Sequence, residues 1–217
     1  RQMQPIDVDK QYHFFNPRAG VSYTLAERNN FYLSFAVAQK EPTRSDFTDR
    51  YKFAADDTYP SSEKLYDWEL GYQYTAPRLS LGVNLYYMKY KDQLVPTGMV
   101  NDDSNALNTN VPDSYRRGVE LSASWRATGW FTVGANATFS QNRIENYVDA
   151  LKDSPTYGKE LGDMTIAYSP DVIANAFLNF HHRGFEAVFH TQHVGKQYFT
   201  NNENDALSLD AYCVTNL

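Results

Sequence analysis

A single cysteine, Cys213, stands among 217 residues, which excludes an intramolecular disulfide framework and a Cys-based zinc site. No run approaches the ~18 apolar residues of a membrane-spanning helix, so the α-helical membrane class is excluded as well. Positive charge is in deficit. Twenty Lys and Arg face 26 Asp and Glu, giving a net charge of −6 and a pI near 5.3. A nucleic-acid binder normally carries a basic stripe and a high pI, so no nucleic-acid partner is expected. Gly-x-Ser-x-Gly, P-loop and dinucleotide-binding signatures are absent, and nothing reads as an enzyme. Helical periodicity never persists for three turns.

Aromatic residues are abundant instead. They make up 15% of the chain, with 17 Tyr and 13 Phe, at a mean hydropathy of only −0.60. Such a mixture fits strands with one apolar and one polar face. Period-two alternation recurs throughout. Phe31, Leu33, Phe35 and Val37 interleave with Tyr32, Ser34, Ala36 and Ala38. The runs Leu79–Tyr87, Val119–Arg126 and Phe131–Phe139 alternate in the same way, and weaker versions lie at Arg18–Leu25, Trp68–Tyr74, Ile173–Phe180, Phe185–Val194 and Leu209–Leu217. The count is roughly nine strands, each near the ~9–11 residues that a tilted strand needs to cross a bilayer.

The connections sort into two kinds. Ala26–Asn30, Thr75–Arg78, Ala127–Trp130 and His181–Gly184 are short and rich in turn formers. Glu41–Ser62, Lys91–Ser114, Arg143–Asp171 and Gln197–Ser208 are long and polar, and the two kinds alternate along the chain. In an up-and-down antiparallel sheet every short turn then falls on one rim and every long loop on the other, as in outer-membrane barrels. Tyr72, Tyr74, Trp125 and Phe131 flank short turns, whereas Tyr87 and Phe139 sit near long loops, the places where amphipathic rings meet two membrane interfaces. The reading is all-β: an antiparallel up-and-down transmembrane β-barrel segment. A soluble β-sandwich module stays open as the alternative, with Leu81, Val83, Leu121 and Val133 meeting across its core.

Several motifs resemble one family. Asn16-Pro17-Arg18-Ala19-Gly20-Val21-Ser22-Tyr23, the run from Ser62 to Gly71, Tyr115-Arg116-Arg117-Gly118-Val119-Glu120-Leu121 and Val194-Gly195-Lys196-Gln197-Tyr198 follow one another as in TonB-dependent outer-membrane receptors, particularly those of Bacteroidetes. Each is weakly specific, and their order over nearly the whole chain is more so. The resemblance covers the later part of a plugged barrel of about 22 strands. It implies that residues 1–217 are a partial barrel domain, with the plug, the TonB-coupling segment and the final strands outside it. It further implies a Gram-negative outer membrane and active import of a scarce nutrient. A ferric siderophore or other iron complex is the first expectation, with glycans, peptides or cobalamin as alternatives and a passive or structural barrel as the runner-up. The partners implied are outer-membrane lipid, the TonB energy-coupling complex and the nutrient. The first and last strands should not pair with each other.

Five histidines include His181-His182 in a short turn, and His190 and His193, which an odd spacing places on opposite faces. No third ligand completes a metal site, and no cofactor is expected. Asp102-Asp103 reads as solvated loop, as do Asn201-Asn202, Glu203 and Asp205, with weak calcium binding as the alternative for the latter group. Glu69, Glu120, Arg126 and Glu186 fall on the polar face, toward a lumen. Near the long-loop rim, Arg44, Tyr51, Tyr59, Tyr157 and Tyr198 are the candidate substrate-binding residues. Loops on a rigid scaffold commonly carry binding, and Tyr and Arg offer stacking, hydrogen bonds and charge to a polar ligand.

Overall fold

The computed structural model describes residues 9–48, 59–101 and 104–217. Nine strands follow one another along an open antiparallel sheet: β1 (Arg18–Leu25), β2 (Asn29–Lys40), β3 (Glu63–Ala76), β4 (Leu79–Val100), β5 (Ala106–Arg126), β6 (Phe131–Ile144), β8 (Val172–His182), β9 (Phe185–Val194) and β12 (Tyr212–Asn216). The two-residue β7 (Met164–Thr165) adds to the tip of β6, and β10 (Gln197–Tyr198) pairs with β11 (Ser208–Leu209) outside the main sheet. One short helix, α1 (Arg44–Thr48), lies between β2 and β3. β1 pairs with β2, and β12 with β9. The two edge strands do not meet, as the sequence predicts.

Strict pairing register explains how one face becomes apolar. Residues directly opposite in an antiparallel ladder point the same way. Val21, Leu33, Leu70, Leu85, Val119 and Phe139 therefore form one row across six strands. This face is the exposed one: Leu70 keeps 51% of its surface accessible, Leu85 48% and Leu33 51%. Leu81, Val83 and Leu121 are likewise exposed on the main sheet, and among the described residues no sheet packs across them, so the sandwich reading is set aside. An exposed contiguous apolar face of this extent needs a nonaqueous neighbour. Two aromatic belts bound it. Phe35, Trp68, Tyr87 and Tyr115 touch in sequence at 5.2, 5.8 and 6.4 Å on the long-loop side. Phe31–Tyr72 at 4.9 Å and Trp130, Phe131 and Phe180 at 4.8–6.2 Å mark the short-turn side. Phe131 and Phe139, at opposite ends of the belt on β6, are eight residues apart, ~26 Å along a strand. At the ~35–45° tilt of barrel strands this spans ~20 Å of height, so these two rings lie within the ~25 Å apolar band of outer-membrane barrels.

The other face is polar and uses small residues under aromatic ones. Tyr32 lies over Gly71, Tyr86 over Gly118 and Phe177 over Gly134, each pair directly opposite in register. A Cβ on Gly71 would stand 2.0 Å from the Tyr32 ring, so glycine is what lets these rings lie flat against the sheet.

The short turns fall where the sequence places them, but the β8–β9 turn is tighter than read: His181 and His182 still belong to β8, paired with Glu186 and Phe185, and Arg183 (φ 48°) and Gly184 (φ 82°) alone close the hairpin in the left-handed conformation such turns require. The long connections do not all remain loops. Most of Lys91–Ser114 continues the β4 and β5 ladders as a hairpin standing above the outer aromatic belt, with its register shifting between Pro96 and Val100. The hydrophobic core sits here and not in the membrane band: Val95, Val111, Ile144, Tyr147, Ala150 and Ile166 are buried together. Covering by the 145–169 segment makes extended strands profitable beyond the bilayer, a tertiary effect that local polarity hides. The expected strand Leu209–Leu217 is also divided, since Ser208–Leu209 pairs with β10 and only Tyr212–Asn216 joins the main sheet.

Candidate functional site

Above the outer belt, the β4–β5 hairpin, the 145–171 segment and the 195–211 segment lock into one rim. Asn201 is the staple. Its side chain is 1% exposed; Oδ1 accepts from the Ala167 N–H at 2.7 Å, and Nδ2 donates to the Pro96 carbonyl at 2.7 Å. Asn202 donates to Asp149 Oδ2 at 3.1 Å, and Glu203 accepts from Arg143 at 3.0 Å and from the Thr165 N–H at 2.9 Å. The expectation of a solvated 201–203 stretch is therefore corrected: these polar side chains hold segments together. Sequence alone could not distinguish a polar staple from a polar loop, because the partners lie 34 and 105 residues away.

Asp149 is fully buried. Burial works to raise its carboxyl pKa, but hydrogen bonds with Ser154, Thr156, the Leu151 N–H and Asn202 outweigh it and hold the group below the ordinary carboxylate range. Asp46 in α1 behaves alike: burial is outweighed by Thr43 and Asn108, the latter at 2.9 Å, which ties α1 to β5. Tyr147 is pushed up, chiefly by burial.

Four of the five predicted binding residues fall on this rim. Arg44 opens α1 and is exposed. The Tyr59 ring lies 6.0 Å from Phe47 of that helix, tilted 50° to it, and the Lys10 ammonium stands 5.1 Å over the Tyr59 ring and 5.7 Å over Phe47. Tyr59 thus packs on the helix that Arg44 opens. Tyr157 lies in the segment that Asn202 fastens to the 195–211 segment, which carries Tyr198 with the Lys196 ammonium 5.0 Å over its ring. Asp205 pairs with Lys196 and raises its pKa. Tyr51 lies outside the described residues. Sequence reasoning missed Lys10, Phe47 and Lys196; aromatic rings next to isolated lysines were the available signal.

Below the rim, the inward face carries Asp67, Glu69, Tyr32, Asn84, Glu120 and Arg116. Asn84 donates to Glu120 at 3.1 Å, and Arg116 donates to Ser169 at 3.0 Å. An open polar pocket of about 330 Å³ runs between Tyr32, Asn84, Glu120 and Thr138. Asp67 Oδ1 and Asn84 Oδ1 are buried without a hydrogen-bond partner among the described residues. Glu69 and Glu120 are placed inward as expected, and Glu186 accepts from Asn179 at 3.3 Å on the same face. Among the described residues, no group of three His, Cys, Asp or Glu could hold a metal ion.

The TonB dependent receptor-like β-barrel family model matches residues 4–217. No curated protein matches the chain. Solved structures resemble it at low identity. The copper transporter OprC aligns at TM-score 0.68 and 17% identity, over 91% of this chain and 29% of that one. The ferric yersiniabactin uptake receptor FyuA from Yersinia pestis aligns at TM-score 0.63 and 20% identity, over 91% and 28%. The ferric-catecholate import receptor Fiu from K12 E. coli gives TM-score 0.63 and 18% identity, over 91% and 27%. These likenesses bear on the fold, and the chain spans under a third of each of these structures.

Proposed function

Because this chain belongs to the TonB-dependent receptor β-barrel family, we propose that it forms part of the wall and outer rim of an outer-membrane importer of a ferric siderophore or another iron complex. Members of the family are transporters of Gram-negative outer membranes, and the remainder of such a barrel, its plug and its TonB-coupling segment would be supplied by residues outside these 217. The observation that carries the reading is the family match over residues 4–217 together with an exposed apolar band between two aromatic belts.

Rim chemistry supports the iron version. Lys10 over Tyr59 presents an ammonium beside an aromatic ring, the combination that attracts an anionic, partly aromatic chelate, and Lys196 over Tyr198 repeats the arrangement with its charge shared with Asp205. Two of the similar structures are ferric-complex receptors, while a third transports copper. In this reading Arg44, Tyr51, Tyr59, Tyr157 and Tyr198 contact the complex at the outer rim. Energy from the TonB complex then rearranges the plug so that the complex passes along the polar inward face.

Growth of a deletion strain under iron starvation, supplied with one ferric complex at a time, tests it. Loss of growth on a particular complex, restored by the intact gene and weakened by Tyr59→Ala or Tyr198→Ala, is expected. Unchanged uptake of every ferric complex would remove the iron version and leave glycan, peptide or cobalamin import. Uptake that persists without TonB would instead indicate a passive pore.

A further inference from the structure

We propose that Tyr168 and Phe199 form a subsite of the outer rim that stacks on a flat aromatic ring carried by the transported complex. The inference rests on the importer reading above and adds to it a ligand group and two residues outside the candidate set. Eight described non-glycine residues have positive φ, and Tyr168, at 56°, is the one aromatic among them. The left-handed region is unfavourable for a bulky side chain, so this conformation is strained. Packing does not repay the strain, because 57% of the Tyr168 surface is accessible. Strain of this kind persists where the surrounding structure imposes it, and it gathers at ligand-binding positions.

The fold imposes it from both sides. The preceding Ala167 N–H donates to the buried Asn201 side chain at 2.7 Å. The Ser169 hydroxyl that follows accepts from Arg116 at 3.0 Å and donates to the Ala167 carbonyl at 3.3 Å, and Pro170 comes next with its φ fixed by its ring. Tyr168 itself donates its N–H to the Tyr198 carbonyl at 2.9 Å. Its ring is thereby presented beside Phe199, with centroids 5.8 Å apart and planes tilted by 32°. Phe199 is pinned as well: its N–H donates to the Leu207 carbonyl at 2.8 Å, and Thr200 and Asn201 after it are buried. Phe199 and Leu207 each keep 37% of their surface accessible. Two exposed rings on a fixed backbone offer an aromatic face at little entropic cost. The patch continues the candidate site, since the same Tyr198 carries the Lys196 ammonium over its ring. Asp205 shares the Lys196 charge, so at this end of the rim stacking outweighs attraction for an anion.

The test is binding of three probes to the intact receptor purified in detergent: a ferric tricatecholate, a ferric trihydroxamate without aromatic rings, and a glucose oligosaccharide. Wild type is expected to bind the tricatecholate most tightly. Tyr168→Gly should weaken that binding about tenfold, the worth of one aromatic stack, and leave the trihydroxamate unchanged. Tyr168→Phe keeps the ring and should keep the affinity. Glycine also accepts the left-handed conformation, so the thermal midpoint of Tyr168→Gly should stay or rise. A lowered midpoint, with both ferric complexes weakened alike, would show a packing residue and overturn the proposal. Unchanged tricatecholate binding by Tyr168→Gly would overturn it too, as would a loss confined to the oligosaccharide, which would assign the rings to a sugar. Failure of the iron reading is recognised separately. Wild type that binds neither ferric complex would remove both readings, whereas wild type that binds the two equally would remove the stacking subsite alone.

Discussion

Replacing Asn201 by Ala should open the outer rim without loosening the barrel wall. The side chain satisfies the amide of Ala167, itself only 6% exposed, and the carbonyl of Pro96, both at 2.7 Å. Alanine removes both bonds and leaves two backbone groups in a site too closed for easy hydration. Each orphaned group costs ~1–3 kcal/mol, so the rim should lose about 2–6 kcal/mol. At 1.4 kcal/mol per factor of ten, the Ala167 amide should exchange its hydrogen roughly thirtyfold faster or more. Amides of Leu70 and Leu121, in the membrane ladders, should keep their wild-type rates. Asn201→Asp keeps the acceptor for Ala167 but loses the donor for Pro96 and buries a charge, so it should be at least as disruptive at neutral pH and partly relieved in acid. Hydrogen-exchange mass spectrometry on the detergent-solubilised receptor reads all of these. An unchanged rate at Ala167 in Asn201→Ala would refute the staple, and equal acceleration in the ladders would show that the segments are not separable from the wall.

Asp149 is held below the ordinary carboxylate range, so its contribution to rim stability is fully present above the unfolded value of ~3.9 and is lost as pH falls through the folded one. Limited proteolysis of the 145–171 segment should therefore quicken as pH drops below about 4, and Asp149→Asn should be more labile at neutral pH and lack that acid step; an identical profile in both proteins would contradict the assignment. Gly118→Ala would place a Cβ 2.4 Å from the Phe139 carbonyl and 2.7 Å from the Tyr86 hydroxyl, and overpacking of this kind costs ~1–3 kcal/mol, visible as a lower urea midpoint in liposomes. Gly129→Ala, with nothing within 4 Å, should leave the midpoint in place. Leu121→Arg on the outward face should cost ~2–4 kcal/mol of folding into bilayers, whereas Thr138→Arg on the inward face should cost far less; equal costs would argue against a lipid-facing side.

The membrane wall was legible in the sequence because a period of two and an alternation of short and long connections are local signals. Phe31–Val37 and Leu79–Tyr87 declare their faces without reference to any partner, and the fixed register of an antiparallel sheet converts those faces into a band. Above the belt, that logic fails. Val95 and Val111 are buried by the 145–169 segment, not by their own hairpin, so Lys91–Ser114 read as a loop although it continues as ladder. Asn201, Asn202 and Glu203 read as solvent-exposed for the same reason: long-range partners decide whether a polar side chain is hydrated or bonded. The candidate site was legible as residue types, and Tyr59 and Tyr198 do sit on the rim. Lys196, two residues from Tyr198, was within reach of the same local signal, whereas Lys10 was not, since it meets Tyr59 across 49 positions of sequence.

Spin labels placed singly along β3, β4 and β5, in a Cys213→Ser background, test the central claim most directly. In bilayers, labels at 70, 85 and 121 should be accessible to dissolved oxygen and shielded from a water-soluble nickel chelate, as lipid-facing positions are. Labels at 69, 84 and 120 should give the opposite, reversing at every step along each strand. Accessibility without a period of two, or chelate access at 70, 85 and 121, would contradict a transmembrane barrel wall.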